Sequence, residues 1–295
     1  MSDSSEATES KRKRPSVTAA AVIFVVFALV CTAIAVIVRL SGGEDTASPS
    51  PSPQSPVTAI PNPSSAPGQR PDAGSNTQPA GIGVPTTDRL GRRIDIPNWI
   101  GGWALPQTPV EHAPYLPIVA ADAPAGLMWQ RVNDGVAVPF STSDGPTTID
   151  GLQASGFART PQGAALAAAQ IFYRLAAVDN RTAQRMFDEQ TVMLPAQRQL
   201  VDDQLRQEGP GKHRTPADAL SYISKTDAFR LLSYAEDFAV VEFAEQSPPT
   251  DDGKPRWGTS RHTVVWEGGD WKLKFQDNDT DQRGHTSTLG GWTPW

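Results

Sequence analysis

Residues Gly156–Asn180 read GFARTPQGAALAAAQIFYRLAAVDN. Thr160 carries the side-chain oxygen of a helix N-cap. Pro161 suits the first turn, where its missing N–H would find no partner in any case. Asn180 is a residue type that ends helices in the left-handed conformation. Between these ends Gly163, Ala167, Gln170, Arg174 and Arg181 recur at helical spacing on one narrow face. Leu166, Ala168, Ala169, Ile171, Phe172, Leu175 and Ala176 make the remainder apolar. A helix that is apolar round most of its circumference is buried on several sides. The stretch therefore predicts the central helix of a domain, with alanines admitting neighbouring backbone.

Shorter helices follow over Arg181–Gln190 and Ala196–Gln207, and Thr215–Pro216 cap a helical turn running to Tyr222. Beyond them the period changes from helix to strand. Phe229–Tyr234 and Phe238–Ala244 are strand candidates. Thr263–Trp266 and Trp271–Phe275 form a hairpin across EGGD, where Gly268 and Gly269 can take the positive φ of a tight turn. In WKLKF the apolar residues alternate with lysines, which marks a sheet with one face on a core. Helices followed by strands argue for an α+β domain over residues 156–276. Before it, residues 89–155 are rich in Pro and Gly yet carry Trp99, Trp103, Tyr115, Trp129 and Phe140. Disordered linkers lack such residues. This region reads as an irregular arm packed on the domain, with short strands near Leu127–Val132 and Val136–Phe140. Residues 277–295 form a C-terminal tail whose Trp292 and Trp295 are expected to pack back on the domain.

The N-terminal third reads differently. Residues 17–38 contain no charged side chain. As a helix they would measure roughly 33 Å, enough to cross a hydrocarbon core of about 30 Å. Lys11, Arg12, Lys13 and Arg14 precede the run, within a basic tail over residues 1–16. The positive-inside bias places that tail in the cytoplasm and the remainder outside, as an uncleaved single-pass signal anchor in the cell membrane. The run exceeds a signal-peptide core, and no clear small-residue cleavage site follows. Residues 39–88 are a low-complexity Pro/Ser-rich stretch with almost no large apolar residue, which predicts a disordered tether.

Little in the chain points to chemistry. Cys31 is the one cysteine among 295 residues, which excludes intrachain disulfides, cysteine metal clusters and Cys–His nucleophiles. His112, His213, His262 and His285 are scattered and read as surface or loop histidines. Asp277, Asp279 and Asp281 have the spacing of a calcium loop. Gln282 stands where the loop needs Gly, however, and Thr288 where it needs Glu, so the segment reads as an acidic turn. No phosphate-binding loop, dinucleotide fingerprint or nucleophile elbow occurs. The tail before the span has four basic and three acidic residues, and the rest has 22 basic and 29 acidic. An acidic outer domain disfavours nucleic acid. The basic cluster suits anionic lipid at the inner leaflet.

The order of elements, ending in WEGGDWKLKF, resembles the NTF2-like, or cystatin-like, fold: a long helix cradled by a curved antiparallel sheet. That resemblance implies a cone-shaped pocket, in which Tyr173 and Glu242 are the one candidate acid–base pairing. The layout of basic tail, span, tether and domain resembles bitopic assembly proteins of type IV secretion and conjugation systems. The wording GVAVPFSTSDGPTTIDGLQASGFARTPQGAALAAAQIFYRL is similar to a family of actinobacterial single-pass membrane proteins, over roughly Trp129 to Phe275. The resemblance implies a scaffold rather than an enzyme, without cofactor or metal. Its partners would be the bilayer, other membrane or envelope proteins and, as a homo-oligomer, copies of itself. A solute- or lipid-binding module using the cone is the alternative.

Overall fold

The computed structural model describes residues 81–133, 135–213, 215, 217–220, 223, 225–247, 253–276 and 282–295. The expected span, the basic cluster Lys11–Arg14, residues 39–80 of the expected tether and the acidic run Asp277–Asp281 lie outside them. Among the described residues no helix is long and apolar enough to cross a membrane.

The quoted stretch forms α1 (Pro161–Ala177), capped as expected. Thr160 Oγ1 accepts the Gly163 N–H at 2.9 Å, and Pro161 opens the first turn. Gly163 is required by close approach, since a Cβ there would lie 2.0 Å from the Ala158 carbonyl oxygen. Sixteen of the seventeen residues are buried, and only Phe172 is half-buried. Such a helix must be enclosed rather than laid on one surface. Its end differs from expectation. Val178 leaves the helix in extended conformation, and Asp179 caps α2 (Asn180–Gln190) by accepting the Thr182 N–H at 2.8 Å. Asn180 is therefore the first residue of the next helix, because the adjacent Asp is the better cap. Then come α3 (Pro195–Glu208) and the single turn α4 (Ala217–Leu220).

The main sheet has seven strands: β7 (Thr191–Val192), β8 (Ala228–Ala235), β9 (Phe238–Ser247), β10 (Arg256–Glu267), β11 (Asp270–Lys274), β12 (Arg283–Thr286) and β13 (Thr293–Pro294). The spatial order is β13-β8-β9-β10-β11-β7, with β12 also paired to β10, and every pairing but β11–β7 is antiparallel. Gly268 and Gly269 take φ of 68° and 88° at the tight β10–β11 turn. Phe229, Leu231, Ala239, Val241, Phe243, Val264, Trp271 and Leu273 share the principal core with α1.

The short strands expected near Leu127–Val132 and Val136–Phe140 form, and the arm has neither helix nor strand from Asn98 to Leu127. It contributes three two-stranded ribbons: β1 (Thr86–Thr87) with β2 (Arg93–Ile94), β3 (Met128–Val132) with β4 (Val136–Phe140), and β5 (Thr148–Asp150) with β6 (Gln153–Ser155). Residues 81–88, expected as tether, belong to the first ribbon region: Gly83 N–H donates to the Ile96 carbonyl at 2.7 Å. Val132, Val136, Val138, Phe140, Ile149 and Ala154 of the ribbons complete the core around α1.

These observations overturn the expected NTF2-like arrangement. The domain is sheet-rich, with three helices of more than one turn, a seven-stranded sheet and three ribbons. No long helix lies cradled by a single curved sheet. The reason lies in the arm: its short strands, punctuated by Pro and Gly, close over the side of α1 that a cone would leave open. The C-terminal tail also differs from a free end. Because β13 pairs with the β8 edge, alternation sends Trp292 and Trp295 to opposite sides of the sheet. Trp292 packs with Ala228 and Ala244, and Trp295 lies 4.5 Å from the Phe229 ring and 5.8 Å from Trp129.

Candidate functional site

The expected pairing of Tyr173 with Glu242 is not formed. On β9, Val241 and Phe243 point into the core that holds Tyr173, so Glu242 points to the other face. There it takes Arg230 Nε at 2.7 Å and Arg261 Nη2 at 3.4 Å, while Arg230 stacks 4.4 Å over the Trp292 ring. Glu242 is thus the centre of a two-arginine clamp. Tyr173 is 7% exposed, and burial followed by the nearby Glu245 charge raises its phenol well above the ordinary value. The carboxylate whose charge is felt at Tyr173 sits three residues beyond the expected one. A phenol so held keeps its proton and is no base.

The densest polar cluster was not legible in the sequence. Asp144 is 1% exposed and ties four segments together. Its Oδ2 lies 2.9 Å from His112 Nε2 and accepts the Ser143 hydroxyl. Its Oδ1 accepts the Thr160 hydroxyl at 2.6 Å, and its carbonyl accepts the Ala158 N–H at 3.1 Å. Ser143 Oγ in turn accepts the Ala125 N–H at 2.9 Å, and Ser141 Oγ donates to the Ala125 carbonyl at 2.8 Å. Serine, histidine and aspartate are all present, but in the wrong order. A nucleophilic triad needs the histidine between hydroxyl and carboxylate so that it can take the proton. Here the carboxylate stands between Ser143 and His112, which leaves no imidazole on the serine. The cluster is a fastener. It joins the arm to the N-cap of α1 through one buried carboxylate.

The polar stripe of α1 works the same way. Gln170 Nε2 donates to the Pro139 carbonyl at 2.7 Å, and Gln162 Nε2 to that of Asp122 at 2.9 Å. Arg174, fully buried, donates to Gln170 Oε1 at 2.6 Å and to the Leu152 carbonyl at 3.0 Å. Burial without a carboxylate partner pushes its guanidinium down to about 9. On α2, Gln190 Nε2 donates to the Ala154 carbonyl at 2.7 Å. Four of these five contacts capture an arm carbonyl, and the fifth, Arg174 to Gln170, links two of the donors.

Of the histidines, His262 departs from the expected surface or loop position. His262 is buried against Phe172, with ring centroids 4.2 Å apart, and its Nε2 lies 3.1 Å from Ser260 Oγ. Burial, and then the charge of Arg283, push it down to about 3, so it is neutral. His112 belongs to the Asp144 cluster, while His213 and His285 are exposed. Among the described residues no group of three His, Cys, Asp or Glu side chains could hold a metal ion. A cavity of about 440 Å³ between α2 and α3 is an open cleft. Its Arg198 is already held by Asp188 and Asp202.

One surface feature stands apart. The arm segment Ala113–Ala121 carries no charge, and Leu116, Ile118 and Val119 are 56%, 96% and 55% exposed. The segment is nonetheless anchored. Tyr115 stacks edge-on with Tyr234 at 5.5 Å, and Ala113 N–H reaches the Asp122 carboxylate at 3.3 Å. Leu232, 39% exposed, lies on β8 between the residues that Tyr115 touches, at a bulge that breaks the register of that edge.

Fold and site together define a sheet-rich domain whose buried polar groups fasten an arm and whose described residues assemble no activated nucleophile. The chain belongs to the family described as Domain of unknown function (DUF8175), whose model matches residues 95–294. No curated protein and no solved structure matches the chain.

Proposed function

We propose that the protein is a membrane-anchored interaction and scaffold protein. Its N-terminus would be cytoplasmic, its family domain extracytoplasmic, and its assembly a conjugation or secretion apparatus of the cell envelope. The observation that carries the interaction reading is the exposed apolar strap Leu116–Val119, held on an arm that the Asp144 cluster fastens rigidly. Large apolar side chains grouped on an anchored loop mark a contact surface. Glu111 and Asp122 flank the strap, and the chain is acidic overall at -6. Those charges oppose an anionic lipid surface and favour a protein partner with an apolar patch of its own.

A photoreactive amino acid at position 118 of the full chain, irradiated in native membranes, tests this. The expected product is a discrete adduct with another membrane or envelope protein, absent when the probe stands at Val84. An adduct of twice the chain mass would assign the strap to a homo-oligomer. Lipid adducts alone, or no adduct above the Val84 control, would overturn the reading.

A further inference from the structure

A second cavity, of about 260 Å³, opens where the β1–β2 turn meets the β3–β4 ribbon. Asp88, Arg89, Ile94, Arg131, Ala137 and Ile223 are among its lining residues. The carboxylates around it are already engaged. Asp88 accepts Arg92 Nε at 2.8 Å and the N–H groups of Leu90 and Arg92. Burial opposes its ionisation, yet the Arg92 guanidinium and these donors hold it below the usual carboxylate value. Asp227 takes Arg92 Nη1 at 2.7 Å, and Asp95 takes Arg93 Nη2 at 2.6 Å.

Arg131 is left over. Its backbone N–H donates to the Asp95 carbonyl, but its guanidinium has no hydrogen bond or ion pair among the described residues. Its Nε is shut from solvent and unpartnered. Arg92, Arg198, Arg230 and Arg261, which are also half-buried, each hold a carboxylate. Shutting that one N–H from water without a partner is unfavourable, because water is removed and nothing replaces it. Two further cations stand beside it. Arg89 also lines the cavity, with one nitrogen on the Gln246 carbonyl at 2.9 Å and 3.7 Å from the Glu245 carboxylate. Lys225 lies 5.7 Å over the Trp129 ring, and burial, then the Arg92 charge, lowers its ammonium. Five cations, Arg89, Arg92, Arg93, Arg131 and Lys225, thus stand against four carboxylates, Asp88, Asp95, Asp227 and Glu245, an excess of one positive charge.

We propose that the cavity is a binding site for a phosphate group, with Arg131 as its principal ligand and Arg89 and the Thr87 hydroxyl completing the shell. A guanidinium fork matches an oxyanion with two parallel N–H donors. Three donor side chains lining one cavity suit a phosphate, which offers three oxygens, better than a carboxylate, which offers two. The volume admits a phosphate and a few attached atoms. The source is either a soluble phosphate ester or a phospholipid headgroup. The site lies beside Thr87, where the domain leaves the segment that leads to the expected span.

The test uses the full chain in phosphatidylcholine nanodiscs, titrated with inorganic phosphate. The expected result is a saturable rise in Tm, about 4 °C at ten times the dissociation constant. Arg131→Gln abolishes the rise, and Arg206→Gln, on an exposed helix face, preserves it. Arg131→Lys keeps the charge and weakens binding about tenfold, because the fork is lost. That variant, with ³¹P line broadening as a second readout, decides the matter if Arg131→Gln does not fold. Nanodiscs containing phosphatidylglycerol separate the sources. A headgroup ligand competes with inorganic phosphate there, and a soluble ligand does not. No rise in the wild type, or an equal rise in the wild type and both Arg131 variants, overturns the proposal.

Discussion

The arm and the main sheet enclose the same helix by different means. On the sheet side, Phe229, Val241, Phe243, Val264 and Trp271 press against α1 through apolar surface, and long antiparallel ladders satisfy the backbone. On the arm side the strands have two, three or five residues, so ladders are short and many carbonyls face inward. There Gln162, Gln170, Arg174 and Gln190 supply the missing donors, and Asp144 ties the loops. Non-directional burial holds one half and directed hydrogen bonds hold the other. Directed bonds fix one geometry, and the loss of a single partner is costly because a buried polar group is left alone.

Acid should break the sheet side first and by the largest amount. His262 sits between Phe172 and Phe243 and is held near 3, against an ordinary value of 6.5. A base whose folded pKa is lowered stays neutral in the fold. Its contribution is complete above pH 6.5 and is lost as the pH falls towards 3. The full loss is up to about 5 kcal/mol. Urea unfolding of wild type and His262→Gln across that window checks it. The stability difference between the two should shift in favour of the variant as pH falls. A constant difference would show that His262 does not titrate on unfolding.

Asp144→Ala should come next, at about 3 kcal/mol, since it strands His112, Ser143 and Thr160 together. The comparison sharpens if the cost is local. Hydrogen exchange should rise across residues 106–125 and at the α1 N-terminus, while β9 and β10 keep their protection. Uniform loss of protection would mean that arm and sheet unfold as one unit. Gln170→Leu follows, at about 2 kcal/mol, because it leaves the Pro139 carbonyl and Arg174 Nε unpartnered. Adding Arg174→Met should recover part of that loss, as apolar replacement of a buried charge often does. A double variant worse than the sum of the singles would contradict this account, and chemical denaturation decides it.

The sheet side was largely legible in the sequence, whereas of the arm only the β3–β4 strands were. Thr160, Pro161 and the alanine-rich run announce α1, and Gly268–Gly269 announces the β10–β11 hairpin, because these signals are local. The arm depends on pairing between segments far apart in the chain. Nothing near Asp144 shows that it will meet His112, 32 residues earlier, or Thr160, 16 residues later. Without those pairings the arm reads as a loose cover, and the helix then reads as the floor of an open cone. The Tyr173–Glu242 pairing failed on strand parity, since one residue along β9 is the difference between core and opposite face. The Gln170–Arg174 spacing was visible as a polar stripe. That it binds arm carbonyls became visible only once the arm was in place.

The smallest effect separates stability from contact. Leu116 and Ile118 are exposed, so replacing both by serine removes little buried surface, and stability should change by no more than about 0.5 kcal/mol. Tyr115, which stacks on Tyr234, and the Asp144 cluster remain intact, so the strap keeps its place. Solubility of the variant should rise, because a contiguous apolar patch is removed. Capture of a membrane partner should fall. Both are compared with Leu194→Ser, a similarly exposed single residue at the start of α3. If the strap variant lost stability as Gln170→Leu does, the strap would be part of how the arm is fastened. Its exposure would then carry no meaning for a partner. If stability holds and capture falls, the arm's directed hydrogen bonds have a purpose beyond covering α1: they hold an apolar surface still.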